Sequence, residues 1–307
     1  MDKTQNTGIV VKNRQGFALL VTLSVLAVVI ALTTVLLSYF DEVKEDAGNT
    51  KALIQADLYY ADITNIFQGV KDKKTLFSVL YQTELPLRTP EDQFSLMLHC
   101  DPLHKGVNIN WLGLENDSKQ TALYTVAQEI FDLLAQDYDI EDVGRLYEML
   151  IEEIGAKTTF VQTEKSRLHQ KNGIISYQQF AEMLSRYQFE IDDSKIGSVP
   201  WKKYFSFSPK ADKIDGEYSS PELISYLFGI DLETVKERGS FIGEGTLESF
   251  VRENGGDYAQ RKSILAGKTF LEAAECSVGY ALAEEQYRFR FEYIQGEAKH
   301  FEFYGKQ

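Results

Sequence analysis

One apolar run dominates the hydropathy pattern of this chain. From Phe17 to Phe40 there are 24 residues without a single charge. A helix rises about 1.5 Å per residue, so this run covers the roughly 30 Å core of a bilayer. Lys3, Lys12 and Arg14 precede it; Asp41, Glu42, Glu45 and Asp46 follow it, with only Lys44 among them. The positive-inside rule then places the N-terminus in the cytoplasm and everything after Phe40 on the far side of the membrane.

Beyond the span the pattern breaks into shorter periods. Leu53, Ala56, Tyr60, Ile63 and Phe67 form an apolar stripe that continues the helix, with a soft spot at Gly48-Asn49. Residues 69–93 contain Pro86 and Pro90 and read as a loop with a short helix near Leu76–Leu80. A strand follows from Phe94 past Cys100, then a second short strand or turn at 105–112. Residues 118–188 have helical periodicity in three stretches: Leu123–Leu134, Val143–Ile154 and Ser176–Arg186. The aromatic segment Pro200–Pro209 alternates and reads as a strand. Ser220-Pro221 and Gly229 bracket a helix as N-cap, first residue and C-terminal stop, and further helical stretches lie near Leu232–Arg238 and Leu247–Val251. Near the end, Tyr287, Phe289, Phe291 and Tyr293 share one face of a strand. The turn Gln295-Gly296-Glu297 and the returning His300–Tyr304 complete an antiparallel hairpin whose aromatic face belongs to a core.

Charge and chemistry narrow the function. The net charge is −14, and since residues 1–16 carry +2, the rest carries −16. An acidic head argues against general affinity for nucleic-acid phosphates. The sequence has no GxSxG, HExxH or Walker loop, and the glycines of Gly239–Gly245 lack the Lys-Ser/Thr that cradles phosphate, so that stretch reads as a loop. His99 and His104 flank Asp101 as polar packing or turn residues. No catalytic set emerges, and an enzyme is not expected. Two cysteines, Cys100 and Cys276, leave two readings open. They are a bridge in an oxidising compartment, worth about 4–5 kcal/mol by chain entropy, or two buried thiols. Asp192, Asp193, Asp212, Asp215 and Glu217 are candidate ligands for Ca2+, which takes six to eight oxygens; the other reading is a set of solvated loop charges.

The junction Gln15-Gly16-Phe17-Ala-Leu-Leu, with the basic leader before it and the span after it, resembles the type IV prepilin and pseudopilin family. The resemblance implies that a dedicated peptidase cuts between Gly16 and Phe17 on the cytoplasmic side and that Phe17 is then N-methylated. Most members carry Glu as the fifth mature residue, which docks on the preceding subunit's free amino group; here that position is Val21. This absence resembles the minor pseudopilin K family of type II secretion, which caps the tip of a short pseudopilus. An internal echo, Gly106-Val-Asn-Ile-Asn before one helix and Lys213-Ile-Asp-Gly-Glu before another, fits the same family, although Asp215-Gly216 replaces the central Asn of the second copy.

What the resemblance implies is an α+β fold: a long N-terminal transmembrane helix and a pilin-like antiparallel sheet with an inserted all-α subdomain. The expected divisions are a leader at 1–16, the membrane and assembly helix at 17–40, sheet-domain parts at 41–116 and 191–307, and the helical insertion at 117–190. The implied setting is the inner membrane, single pass, with a periplasmic head. The implied partners are other minor pseudopilins, the major pseudopilin and the processing peptidase-methyltransferase, and Ca2+ is known in loops of that family. Two rivals remain. One is a minor subunit of a DNA-uptake or type IV pilus machine, with Trp201-Lys202-Lys203-Tyr204 as a DNA-facing patch. The other is an uncleaved single-span periplasmic protein.

Overall fold

The computed structural model describes residues 14–88, 95–155, 173–208, 211–239, 246–283 and 285–306, with side-chain detail from Leu19 onward. The leader segment 1–13 and the loop expected at Gly239–Gly245, apart from Gly239, lie outside the described residues.

α1 (Arg14–Gly69) is one unbroken helix of 56 residues. The soft spot expected at Gly48-Asn49 is absent. An interior Gly costs a helix only about 1 kcal/mol, and α1 meets the sheet here, where packing offsets that cost. The buried face is Ala52, Ala56, Tyr59, Ile63 and Phe67. Leu53 points to solvent and Tyr60 is half-buried, so the expected stripe was one residue out at two positions. Ala52 faces the sheet, where the Tyr280 hydroxyl donates to its carbonyl at 2.5 Å.

α2 (Lys73–Leu80) is capped by Asp72, which accepts from the Thr75 N–H. β1 (Leu85–Arg88) lies inside the stretch expected to be a loop. It is an edge strand, the place in a sheet where Pro86 is tolerated. β2 (Ser95–Pro102) follows and alternates cleanly between exposed and buried.

A helical unit comes next: β3 (Val107–Asn108), α3 (Thr121–Asp137), α4 (Val143–Ile154), α5 (Tyr177–Ile191), α6 (Trp201–Tyr204), β4 (Phe205–Ser206), α7 (Pro221–Phe228), α8 (Leu232–Arg238), α9 (Leu247–Glu253) and α10 (Tyr258–Arg261). The Pro200–Pro209 segment is thus a helical turn followed by a two-residue strand, not one strand. Trp201 is the reason: its ring is 99% buried against Phe131 and Phe180, which an extended chain would alternate away. α7 starts and stops as its caps dictate, with the Ser220 hydroxyl accepting from Leu223 N–H and Gly229 at φ +64°.

The chain then returns through β5 (Ala273–Leu282), β6 (Glu285–Ile294) and β7 (Glu297–Lys306). Among the described residues the main sheet has the order β1-β2-β5-β6-β7, with every neighbouring pair antiparallel. One face packs on α1 and α2, and Tyr287, Phe289, Phe291 and Tyr293 lie in that core as the alternation requires. β2 and β5 are adjacent although the whole helical unit separates them in sequence.

Two cores result. The sheet core runs from Ala52 to Tyr293 and skips the middle of the chain; the helical core runs from Val107 to Leu265. The insertion therefore extends well past the expected 117–190. The short helices after residue 190 bury Leu223, Ile224, Phe228, Val235 and Phe250 in the same cluster as α3 and α5. The sheet resumes only at Ala273, not at 191.

The internal echo is structural. Val107-Asn108 pairs in parallel with Phe205-Ser206, and Ile214 makes a parallel bridge with Leu265. Gly106 is needed at the first copy, since a Cβ there would lie 2.6 Å from the Phe205 backbone. Asn108 accepts from Asn110 N–H at 2.9 Å and donates to Ser208 O at 2.8 Å. Asp215, the equivalent of Asn108, accepts from the Glu217 N–H. An ionised carboxylate cannot donate as the amide does.

Candidate assembly interface

Three features of α1 bear on function. The first is the span. From Leu19 onward its side chains are exposed, and an 18-residue window reaches a mean hydropathy of 2.7. Four of its hydroxyls are satisfied within the helix. Thr22 donates to Leu19 O, Ser24 to Leu20 O, Thr33 to Val29 O and Thr34 to Ile30 O, all at 2.8–2.9 Å. That is what hydroxyls need where no water is available. Gly16 and Phe17 lie on the helical backbone, but their side chains are outside the described set. Val21 is in the span, 42% exposed and apolar, with no carboxylate to pair.

The second feature is the covered face beyond the span. Tyr59 stands edge-on to Tyr280 at 5.3 Å, Tyr60 to Phe291 at 5.2 Å, and Phe67 to Tyr293 at 5.1 Å. These ring pairs fix the helix on the sheet.

The third is a second apolar stripe, which the sequence reading missed. Val43, Ala47, Ile54, Leu58 and Ala61 recur at spacings of 4, 7, 4 and 3 on the side of α1 opposite the sheet. Val43 is 46% exposed, Ile54 58% and Leu58 57%. Lys44 and Lys51 border the stripe on one side, Asp46 and Asp57 on the other. The spacing itself carries the signal, but the sheet-facing stripe on the same segment accounts for the helical period and masks the second one.

A disulfide joins Cys100 to Cys276, which resolves the two readings in favour of the bridge. The two residues are directly opposed on β2 and β5, and both are buried. They close the neck through which the helical unit leaves and re-enters the sheet.

The five carboxylates considered for calcium are dispersed. Asp192 ends α5 at φ +63°. Asp193, fully buried, accepts from the N–H groups of Glu141 and Lys195. Asp215 and Glu217 lie instead at the junction of the two cores, where Asp215 N–H donates to His104 O at 2.8 Å, and Asp212 is near enough to act on the His104 ring. Among the described residues no group of three or more His, Cys, Asp or Glu side chains could hold a metal ion. As arranged, these residues do not fit a calcium site. The Trp201–Tyr204 patch is likewise not an open basic surface. Trp201 is buried, Lys203 pairs with Glu222 at 2.6 Å, and Lys202 lies over the Tyr177 ring.

The junction is electrostatically tense. Burial, with help from Glu217, pushes the Asp215 carboxyl up to about 7, and burial pushes the His104 imidazole down to about 4. Asp215 binds its proton more tightly folded than unfolded, so its contribution is full below about pH 4 and lost as pH rises through 7. His104 has the opposite sign: its contribution is full above about pH 6.5 and lost as pH falls towards 4. Between about pH 4 and 6.5 the two slopes oppose one another, so their sum changes little there and falls only from about 6.5 to 7. In thermal melts, Asp215→Asn should raise the midpoint most at pH 8, less at pH 5 and least at pH 4, because the carboxyl's contribution is lost progressively between about 4 and 7. A gain that does not grow between pH 4 and pH 8 would show that the Asp215 carboxyl is not its source.

No protein-family model matches the chain, and no curated protein matches it. Among solved structures it is similar to a chain of the GspK–GspI–GspJ complex of the type 2 secretion system of enterotoxigenic Escherichia coli. The similarity covers 84% of this chain and 97% of that one, with a TM-score of 0.50 and 13% identity. At that identity the likeness is one of fold. The architecture is pseudopilin-like: a long apolar N-terminal helix, an antiparallel sheet packed on its second half, and additional helices.

Proposed function

We propose that this chain is a minor pseudopilin, anchored by α1 in the inner membrane with its head in the periplasm, that caps the tip of a type II secretion pseudopilus and so supports protein export. The observation that carries this reading is the pair of opposite apolar faces on α1. One face belongs to the head's own sheet. The other continues the span as an unfilled seam for neighbouring helices. The likeness in fold to a chain of a pseudopilin complex supports the same reading, as does the disulfide, which suits an oxidising compartment.

The action is assembly rather than catalysis. Cleavage after Gly16 frees the amino group of Phe17 for methylation. The span then joins a bundle of pseudopilin helices. Val21 leaves this subunit without the carboxylate that would dock on a preceding subunit, so it takes an end position, and a head of 267 residues after Phe40 fits an end better than a crowded shaft.

The test is the N-terminus of the protein isolated from membranes. A start at methylated Phe17 is expected, and Gly16→Leu should leave the leader attached. An intact Met1 on the wild-type protein would overturn the reading and favour the uncleaved anchor.

A further inference from the structure

The open face of the sheet and the helical unit do not close on one another. They leave a cleft of about 720 Å³, within the roughly 300–1,000 Å³ common to binding clefts. One wall is the outer face of β5, β6 and β7. Its charged groups are Glu275, Arg290, Glu292 and Glu302, joined at the end of β2 by Asp101, which pairs with Lys105 at 2.9 Å. Three carboxylates and one guanidinium thus share the open sheet face. Arg290 is shared, at 2.8 Å from Glu302 and 3.7 Å from Glu275. Glu292 turns instead to His300, whose Nδ1 lies 3.0 Å away.

The backbone places His300 there. The register of β7 on β6 slips between the pairings of Arg290 and Glu292, and His300 takes φ +53° at that bulge. A non-glycine residue held in the left-handed region costs about 1–3 kcal/mol, and bulges of this kind re-aim side chains beside functional sites. Burial and the neighbouring Glu275 raise the affinity of Glu292 for its proton, while His300 and Arg290 act against that rise.

The facing wall comes from the helical unit. It presents the rings of Tyr177 and Phe207 and the ammonium of Lys202, whose Nζ sits 4.0 Å from the centre of the Tyr177 ring. Ring faces already arranged to hold an ammonium suit the stems and heads of further Lys or Arg side chains. The sheet wall, with the Asp101–Lys105 pair counted, carries −2 from its six charged groups with His300 neutral. β7 is the outermost strand, so this wall is bounded by unpaired backbone, which suits an extended chain more than a compact solute.

We propose that this cleft is a docking site for an extended, basic segment of a partner protein. Its Lys or Arg side chains reach the carboxylates of the sheet wall, and its apolar stems lie on Tyr177 and Phe207. The proposal does not depend on the assembly reading, since the cleft lies on the head and its lining includes no residue of α1.

The test uses the full chain in detergent micelles and a fluorescent octapeptide alternating lysine and valine, with a glutamate–valine peptide as its counterpart. At low salt the lysine peptide is expected to bind and the glutamate peptide not to bind. Glu275→Gln with Glu302→Gln should weaken binding about fivefold, the scale of two partly exposed ion pairs. Lys202→Glu should tighten it by a similar factor. This change of opposite sign cannot come from misfolding. Glu237→Gln with Glu253→Gln, which lie outside the cleft, should change nothing. Equal binding of the two peptides, no effect of the Glu275 and Glu302 pair, or an equal loss from the Glu237 and Glu253 pair would each overturn the proposal.

Discussion

Replacing the buried disulfide, as Cys100→Ala with Cys276→Ala, is expected to lower the stability of the sheet half of the head by about 2–5 kcal/mol. For a domain of this size that is a fall of about 5–15 °C in its melting midpoint. The reason lies in the topology. β2 and β5 are hydrogen-bonded neighbours, yet their cysteines are 176 residues apart in sequence. Without the bridge the unfolded chain regains the freedom of a very long loop, and the sheet must close that loop from strand pairing alone. Alanine is the fair replacement, because both positions are buried and a serine hydroxyl would add its own desolvation cost. The helical core contains neither cysteine, so the loss should be local. Amide exchange is expected to quicken in β2 and β5 while α3 and α7 keep their protection. Reductant alone should leave the native bridge intact, since both cysteines are shielded. An unchanged midpoint in the alanine pair would mean that the bridge constrains little.

The contrast between the two cores explains what could be read in advance. α7 was legible to the residue because its boundaries are local: a Ser hydroxyl, a Pro at the first position and a Gly at positive φ each act within one turn. The β6–β7 hairpin was legible for the same reason, with a strict alternation and a short turn. What failed was non-local. Whether Leu223 or Phe250 belongs to the sheet or to the helical unit depends on partners far away in sequence, so the insertion was drawn too short. β1 was hidden by Pro86, which excludes a central strand but not an edge. The candidate calcium ligands are close in sequence, yet the fold sends Asp193 to cap the turn at Lys195 and Asp215 to the junction beside His104. Proximity along the chain said nothing about convergence in space. The Asp215 mismatch was visible as a departure from the first copy of the echo, but its consequence, a buried acid where an amide fits, needed the depth of burial.

The second stripe on α1 carries the largest functional expectation. Ile54→Glu with Leu58→Glu should leave the head folded, because both side chains are already more than half exposed and point away from the sheet; surface changes of this kind stay within about 0.5 kcal/mol each. Association with neighbouring helices should nevertheless fall by at least a few hundredfold, on the order of 3–4 kcal/mol, since two central apolar anchors are worth about 1.5–2 kcal/mol apiece and the new carboxylates would be buried without partners. Ile63→Glu is the counterpart on the covered face. Ile63 is 98% buried, so that change should unfold the head rather than free it. The measurement is recovery of the membrane-bound subunit together with its neighbours after detergent extraction, alongside a thermal melt of each variant. Loss of recovery with an unchanged melt for the exposed pair, against a lost melt for Ile63→Glu, separates an interface from a core. Full recovery of the Ile54 and Leu58 double variant would remove the seam from the mechanism and leave the span alone to hold the assembly. The flanks add a directional test. Lys44 and Lys51 on one border and Asp46 and Asp57 on the other favour a neighbour that presents acids to the first and bases to the second. Reversing one border, with Lys44→Glu and Lys51→Glu, should therefore weaken association in a salt-dependent way while leaving both the apolar seam and the melt intact.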